Sequence, residues 1–88
     1  MNIPGGIFES VDLPDDILNF LSSKLKNGYF ILDIKNIKSQ VVSGIMYYFD
    51  IKIINNSTNM VQIYKMSIWS HPWTNPKYEI QEIIPISR

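Results

Sequence analysis

Apolar residues recur with two different periods along this chain. Ile17, Leu18, Leu21 and Leu25 follow spacings of three and four, with Phe20 at the margin of the stripe, and predict a helix over residues 13–27. Asp12, Asp15 and Asp16 crowd its start, Pro14 suits its first turn, and Lys24 and Lys26 lie near its end, so the charges complement the helix dipole. Asn27-Gly28 offers a left-handed stop.

From Tyr29 onward the period becomes two. Residues 29–54 read almost entirely as strand, too long a run for one strand of at most ~10 residues. Ser43-Gly44 is the turn-prone pair inside it, which predicts strands over 29–42 and 45–54 joined by a tight turn. In the first strand Phe30, Leu32 and Ile34 alternate before Ile37 breaks the period, so a β-bulge is expected near Lys35-Asn36. In the second, Ile45, Tyr47, Phe49, Ile51 and Ile53 share one face. The Asn55–Asn59 cluster is a turn, and residues 60–70 form the third long strand, with Tyr64, Met66 and Ile68 opposite Val61, Ile63 and Trp69. A proline-marked loop over residues 71–76 leads to a last strand over 77–86. Hairpin connections make the sheet antiparallel, with the helix over its apolar face, an α+β fold.

Eighty-eight residues suit one domain, and a hydrophobic share of 45% is enough for a packed core. Eight basic and eight acidic residues are scattered without blocks, which argues against a nucleic-acid surface. No cysteine is present, so disulfides, thiolate metal sites and a cysteine nucleophile are excluded. No apolar run approaches the ~20 residues of a membrane span. Without a signal peptide or cysteine the chain as written fits the cytoplasm; if a signal sequence has been removed it is secreted. Asn55 and Asn56 each start a glycosylation sequon, a pattern that also arises by chance.

Catalytic chemistry has little to stand on. The single histidine, His71, lies in a loop beside Pro72 without an acid or serine at motif spacing, and reads as a loop histidine without a role. Carboxylate pairs, phosphate loops, metal-ligand clusters and cofactor motifs are lacking. Recognition is the better reading. Val41 and Val42 at a hairpin tip bury nothing within their own domain. Trp73, in a proline-flanked loop, is either folded onto its own sheet or an interface anchor. Gly5-Gly6 reads as a hinge behind a short arm, or as part of a frayed terminus. Counting strand directions puts the arm, the Ser43-Gly44 turn and the Pro72-Trp73 loop at one end of the sheet.

Gln40-Val41-Val42-Ser43-Gly44 resembles the Gln-Val-Val-Ala-Gly signature of the cystatin family of papain-like cysteine-protease inhibitors, with Ser43 the one departure. Gly5-Gly6 resembles the family's N-terminal glycine and Pro72-Trp73 its second-loop Pro-Trp pair, in the same order along the chain. The resemblance implies a long helix wrapped by a bent antiparallel sheet of four main strands, with a short N-terminal strand as an option. It implies a monomeric, reversible inhibitor of cathepsin-type proteases, binding neither nucleic acid nor membrane. Val41, Val42 and Ser43 would then line the protease cleft, with Gln40 and Gly44 shaping the turn. Pro72 and Trp73 would pack on the primed side, and Ile3 and Pro4, ahead of Gly5 and Gly6, would reach the unprimed subsites. Absence of cysteine is similar to stefins and plant cystatins, whereas a second-loop tryptophan departs from stefins, so the subgroup stays open. Some members carry a second, legumain-type site on an asparagine after the helix; Asn27 is the nearest candidate, but Lys26 and Gly28 do not resemble that motif. Two alternatives stand beside inhibition: an interaction module of the same fold, and a small enzyme on a one-helix bent-sheet scaffold.

Overall fold

The computed structural model describes residues 7–9, 13–73, 75 and 77–86. The elements are β1 (Ile7–Glu9), α1 (Asp15–Lys24), β2 (Tyr29–Val42), β3 (Gly44–Asn55), β4 (Met60–Ser70) and β5 (Tyr78–Ile86). They form one antiparallel sheet in the order β1-β2-β3-β4-β5, with every neighbour adjacent in sequence except for the helix inserted between β1 and β2. The short N-terminal strand thus joins the four long ones expected.

The core lies between α1 and one face of the sheet. Leu13, Ile17 and Leu21 pack with Phe49, Ile51, Ile53, Met66, Ile68 and Tyr78, all buried. Alternation along β3 and β4 delivers these side chains to one face, as the period of two requires.

Two expectations are corrected. In β2 the core-facing residues are Ile31, Ile34 and Ile37, while Phe30 and Leu32 are exposed. The ladder to β3 skips a residue twice, between Ile31 and Asp33 and between Lys35 and Lys38, and each extra residue resets the alternation. The second irregularity is the expected bulge; there Asn36 adopts φ 57 and its Nδ2 donates to Asp50 Oδ2 at 2.8 Å. Asparagine tolerates that left-handed geometry better than most residues.

The helix is also shorter than its apolar stripe, ten residues instead of a long helix over 13–27. Pro14 is its N-cap, and the Pro14 carbonyl accepts from the Ile17 amide at 3.1 Å. At the other end Leu25 is extended (φ −78, ψ 145), because the chain must reverse into β2. The Tyr29 amide donates to the Lys26 carbonyl at 3.1 Å, with Gly28 at φ +88. Asn27-Gly28 therefore turns the chain into the sheet, and neither residue caps the helix.

The helix start is anchored to β5. Asp16 accepts from the Tyr78 hydroxyl at 2.6 Å and pairs with Lys77 at 2.7 Å. This contact fixes the base of the β4–β5 loop against the helix.

Candidate functional site

One end of the sheet gathers most of the residues singled out in the sequence. Val42 pairs with Gly44, so Ser43 alone forms the apex of the β2–β3 hairpin. Ile45 pairs with Ser70, which sets the start of the β4–β5 loop directly beside that apex. Ile7 pairs with Gln40, so β1 begins on the other flank of the same tip. The arm residues Ile3, Pro4, Gly5 and Gly6 lie outside the described residues.

Gly44 explains how the two loops come so close. Its φ is +93, and a Cβ there would lie 2.2 Å from the Ser70 carbonyl oxygen and 3.0 Å from Trp69 Nε1. Only a residue without a side chain allows both the tight reversal and this approach. The Trp69 indole N–H donates to the Ser43 carbonyl at 2.6 Å, a direct tie between the second strand pair and the hairpin apex. Gln40 is held from behind, its Oε1 accepting from the Tyr48 hydroxyl at 2.6 Å.

The second loop is built on an aromatic stack. Trp69 lies 4.2 Å from the His71 ring, and Trp73 stands edge-on to Trp69 at 6.2 Å between centroids. Within this stack Trp73 is 58% exposed, so the indole belongs to the surface and not to the core. Pro72 is exposed beside it, and so is Val42, while Val41 is half-buried.

His71 differs from its sequence reading as a loop residue without a role. Its side chain is buried, its ring rests on Trp69, and its Nε2 lies 3.3 Å from Glu79 Oε1. Its amide donates to the Lys77 carbonyl at 2.7 Å, which closes the loop at its base. His71 and Trp69 are thus supports that sequence reasoning passed over. The available signal was a tryptophan on the non-core face of a strand, two residues from a loop histidine.

Gln40, Val41, Val42, Ser43, Pro72 and Trp73 carry no charge. Among the described residues no group of three or more His, Cys, Asp or Glu could hold a metal ion.

Sequence comparison points the same way. A cysteine proteinase inhibitor of Solanum tuberosum is 41% identical over 51 residues, 58% of this chain and 73% of its own length. Cysteine proteinase inhibitor A of Helianthus annuus is 39% identical over 51 residues, and Cystatin-1 of Zea mays 37% over 49. The chain spans 58% of the sunflower relative and 34% of the maize one. All three are named as inhibitors or cystatins, not as enzymes. No family model matches the chain. No solved structure matches it either. Identity of 41% across nearly three quarters of the potato inhibitor, on one helix packed against an antiparallel sheet, makes this chain a member of the cystatin family.

Proposed function

We propose that the chain is a reversible, tight-binding inhibitor of papain-like cysteine proteases and acts as a monomer. Its wedge comprises the arm residues Ile3, Pro4, Gly5 and Gly6, the tip Gln40-Val41-Val42-Ser43-Gly44, and Pro72 and Trp73. The observation that carries the reading is the juxtaposition of an exposed, uncharged hairpin apex with an exposed tryptophan, tied together through Trp69.

Such an edge is suited to entering a cleft. It is apolar, so docking removes hydrophobic area from water. It is held by the Trp69–Ser43 and Tyr48–Gln40 hydrogen bonds before any partner arrives, so little further ordering is needed. Val41, Val42 and Ser43 enter near the protease's reactive centre, and Trp73 and Pro72 cover the primed side. Ile3 and Pro4 reach the unprimed subsites. The inhibitor survives because no peptide bond of the wedge is held in attack geometry over the protease cysteine.

Titration of papain and of cathepsin-type proteases tests the proposal. It requires stoichiometric inhibition, recovery of enzyme activity on dilution, and recovery of the uncut chain. Absence of inhibition across the panel, by a chain with a normal cooperative melt, would leave an interaction module of the same fold.

A further inference from the structure

A cavity lies at the other end of the sheet. The ten-residue helix is about 15 Å long at 1.5 Å per residue. The twelve-residue β3 extends for about 40 Å at roughly 3.3 Å per residue, so one helix of this length cannot roof it. Because α1 stops at Lys24, the segment from Leu21 to Lys26 overhangs a cavity of about 420 Å³. Ile31, Ile51, Ile53 and Met66 line it, and it lies near Tyr29 and Asn55, far from the Val42–Gly44 tip. This volume falls in the range of small-ligand sites, about 300–1,000 Å³.

The polar residues on this wall are cationic or neutral donors. Lys24, Lys26, Tyr29 and Tyr64 are the polar residues that line it, and no Asp or Glu does. Lys24 Nζ stands 5.3 Å over the Phe20 ring. Among the described residues neither Lys24 nor Lys26 takes part in an ion pair. The Tyr29 hydroxyl accepts from Asn55 Nδ2 at 3.1 Å, which leaves its own proton to donate.

We propose that this cavity binds a medium-chain fatty carboxylate. The alkyl chain lies along the isoleucine floor, and the carboxylate sits at the mouth between Lys24, Lys26 and the Tyr29 hydroxyl. The two cations favour an anion over a neutral or cationic amphiphile of the same length. They also disfavour a second copy of this chain docked about a two-fold axis through the groove, since that would face lysine with lysine. The site is distinct from the wedge, and its readout does not depend on protease inhibition.

Calorimetry and amide-shift mapping with octanoate, decanoate and dodecanoate, below their micelle concentrations, test the assignment. The expected result is saturable one-to-one binding that tightens about fourfold per added methylene, as burial of each group in an apolar site predicts. Shifts should concentrate at Leu25, Ile31 and Ile53. The double variant Lys24→Glu/Lys26→Glu, altered at two exposed positions, should still unfold cooperatively, at a Tm lowered by a few degrees because two charges that complement the helix end are reversed. It should bind decanoate at least tenfold more weakly. Decyltrimethylammonium should not compete. Non-saturable binding, equal affinity for the cationic amphiphile, or undiminished decanoate affinity in the double variant overturns the proposal. A concentration-dependent dimer that protects the same residues without ligand does so too.

Discussion

The indole N–H of Trp69 donates to the carbonyl oxygen of Ser43 across 2.6 Å, joining the end of β4 to the hairpin apex between residues 26 apart in sequence. Replacing Trp69 by phenylalanine keeps an aromatic ring beside His71 and removes the donor together with part of the ring. A single hydrogen bond of this kind is worth about 1 kcal/mol net, because water can take over the exposed carbonyl. Trp69→Phe should therefore lower Tm by several degrees, about 4–8 °C per kcal/mol in a domain of this size, and weaken protease binding by roughly three- to tenfold through looser presentation of the tip. Inhibition constants and melts measured side by side check this. An unchanged inhibition constant would mean that the tie does not position Ser43.

Gly44→Ala should be far more damaging. The added methyl would meet backbone atoms of Ser70, which have no rotamer by which to escape, and φ +93 is strained for any L-residue. A left-handed conformation alone costs about 1–2 kcal/mol. With the clash added, urea unfolding should show a loss of at least about 2 kcal/mol, the scale of a strained functional position. Inhibition should fall with it, because the Ser70 strand end must move away from the tip.

Trp73→Ala separates binding from folding. The side chain is 58% exposed, so Tm should change little. Truncation of a central aromatic contact should cost on the order of 2–4 kcal/mol of protease affinity. Most of it should appear as faster dissociation in stopped-flow or surface measurements. A large fall in Tm with inhibition intact would reverse the assignment of Trp73 to the interface.

Stability should depend on pH through the Asp16–Tyr78 pair. Lys77, and then the Tyr78 hydroxyl, hold the Asp16 carboxyl below its ordinary value, so the ionised form is favoured in the fold. That contribution is present above the ordinary aspartate range and is lost as pH falls through the lowered value. Burial, and then the bond donated to Asp16, push the Tyr78 phenol well above its ordinary value of 10.0. Its contribution is complete below about pH 10 and is lost as pH rises past that point. Urea midpoints across pH should therefore show a plateau with shoulders below about pH 4 and above about pH 10. In Asp16→Asn the acid shoulder should shrink, and an unchanged profile would show that the pair carries no linkage.

Removal of Met1 to Pro4 should weaken inhibition and leave Tm as it was. The motive is the Ile7–Gln40 pairing, which starts β1 beside the tip. Equal inhibition by the truncated and full chains, across several proteases, would remove the arm from the wedge.

Much of this protein is determined by sequence alone, for local reasons. A period of two over residues 29–54 with one turn-prone pair leaves a hairpin at Ser43 as the available solution, and that is where the chain reverses. The stripe Ile17-Leu21 needs a partner face, and the alternation of Phe49, Ile51 and Ile53 supplies it. The placement of Ser43 and Trp73 at one end of the sheet was legible because strand directions alternate from hairpin to hairpin. What tertiary structure decided are the properties that depend on distant neighbours. A second bulge at Leu32 exchanged the two faces of the start of β2, since alternation cannot reveal where a ladder skips a residue. Reversal into β2 ended the helix at Lys24, although its apolar stripe runs on to Leu25. His71 became buried and Trp69 became the tie to Ser43 only because β3 and β4 pair in a register that sets Ile45 against Ser70. Side-chain spacing within a strand encodes a face, but contact across strands is set by register, and register belongs to the whole sheet.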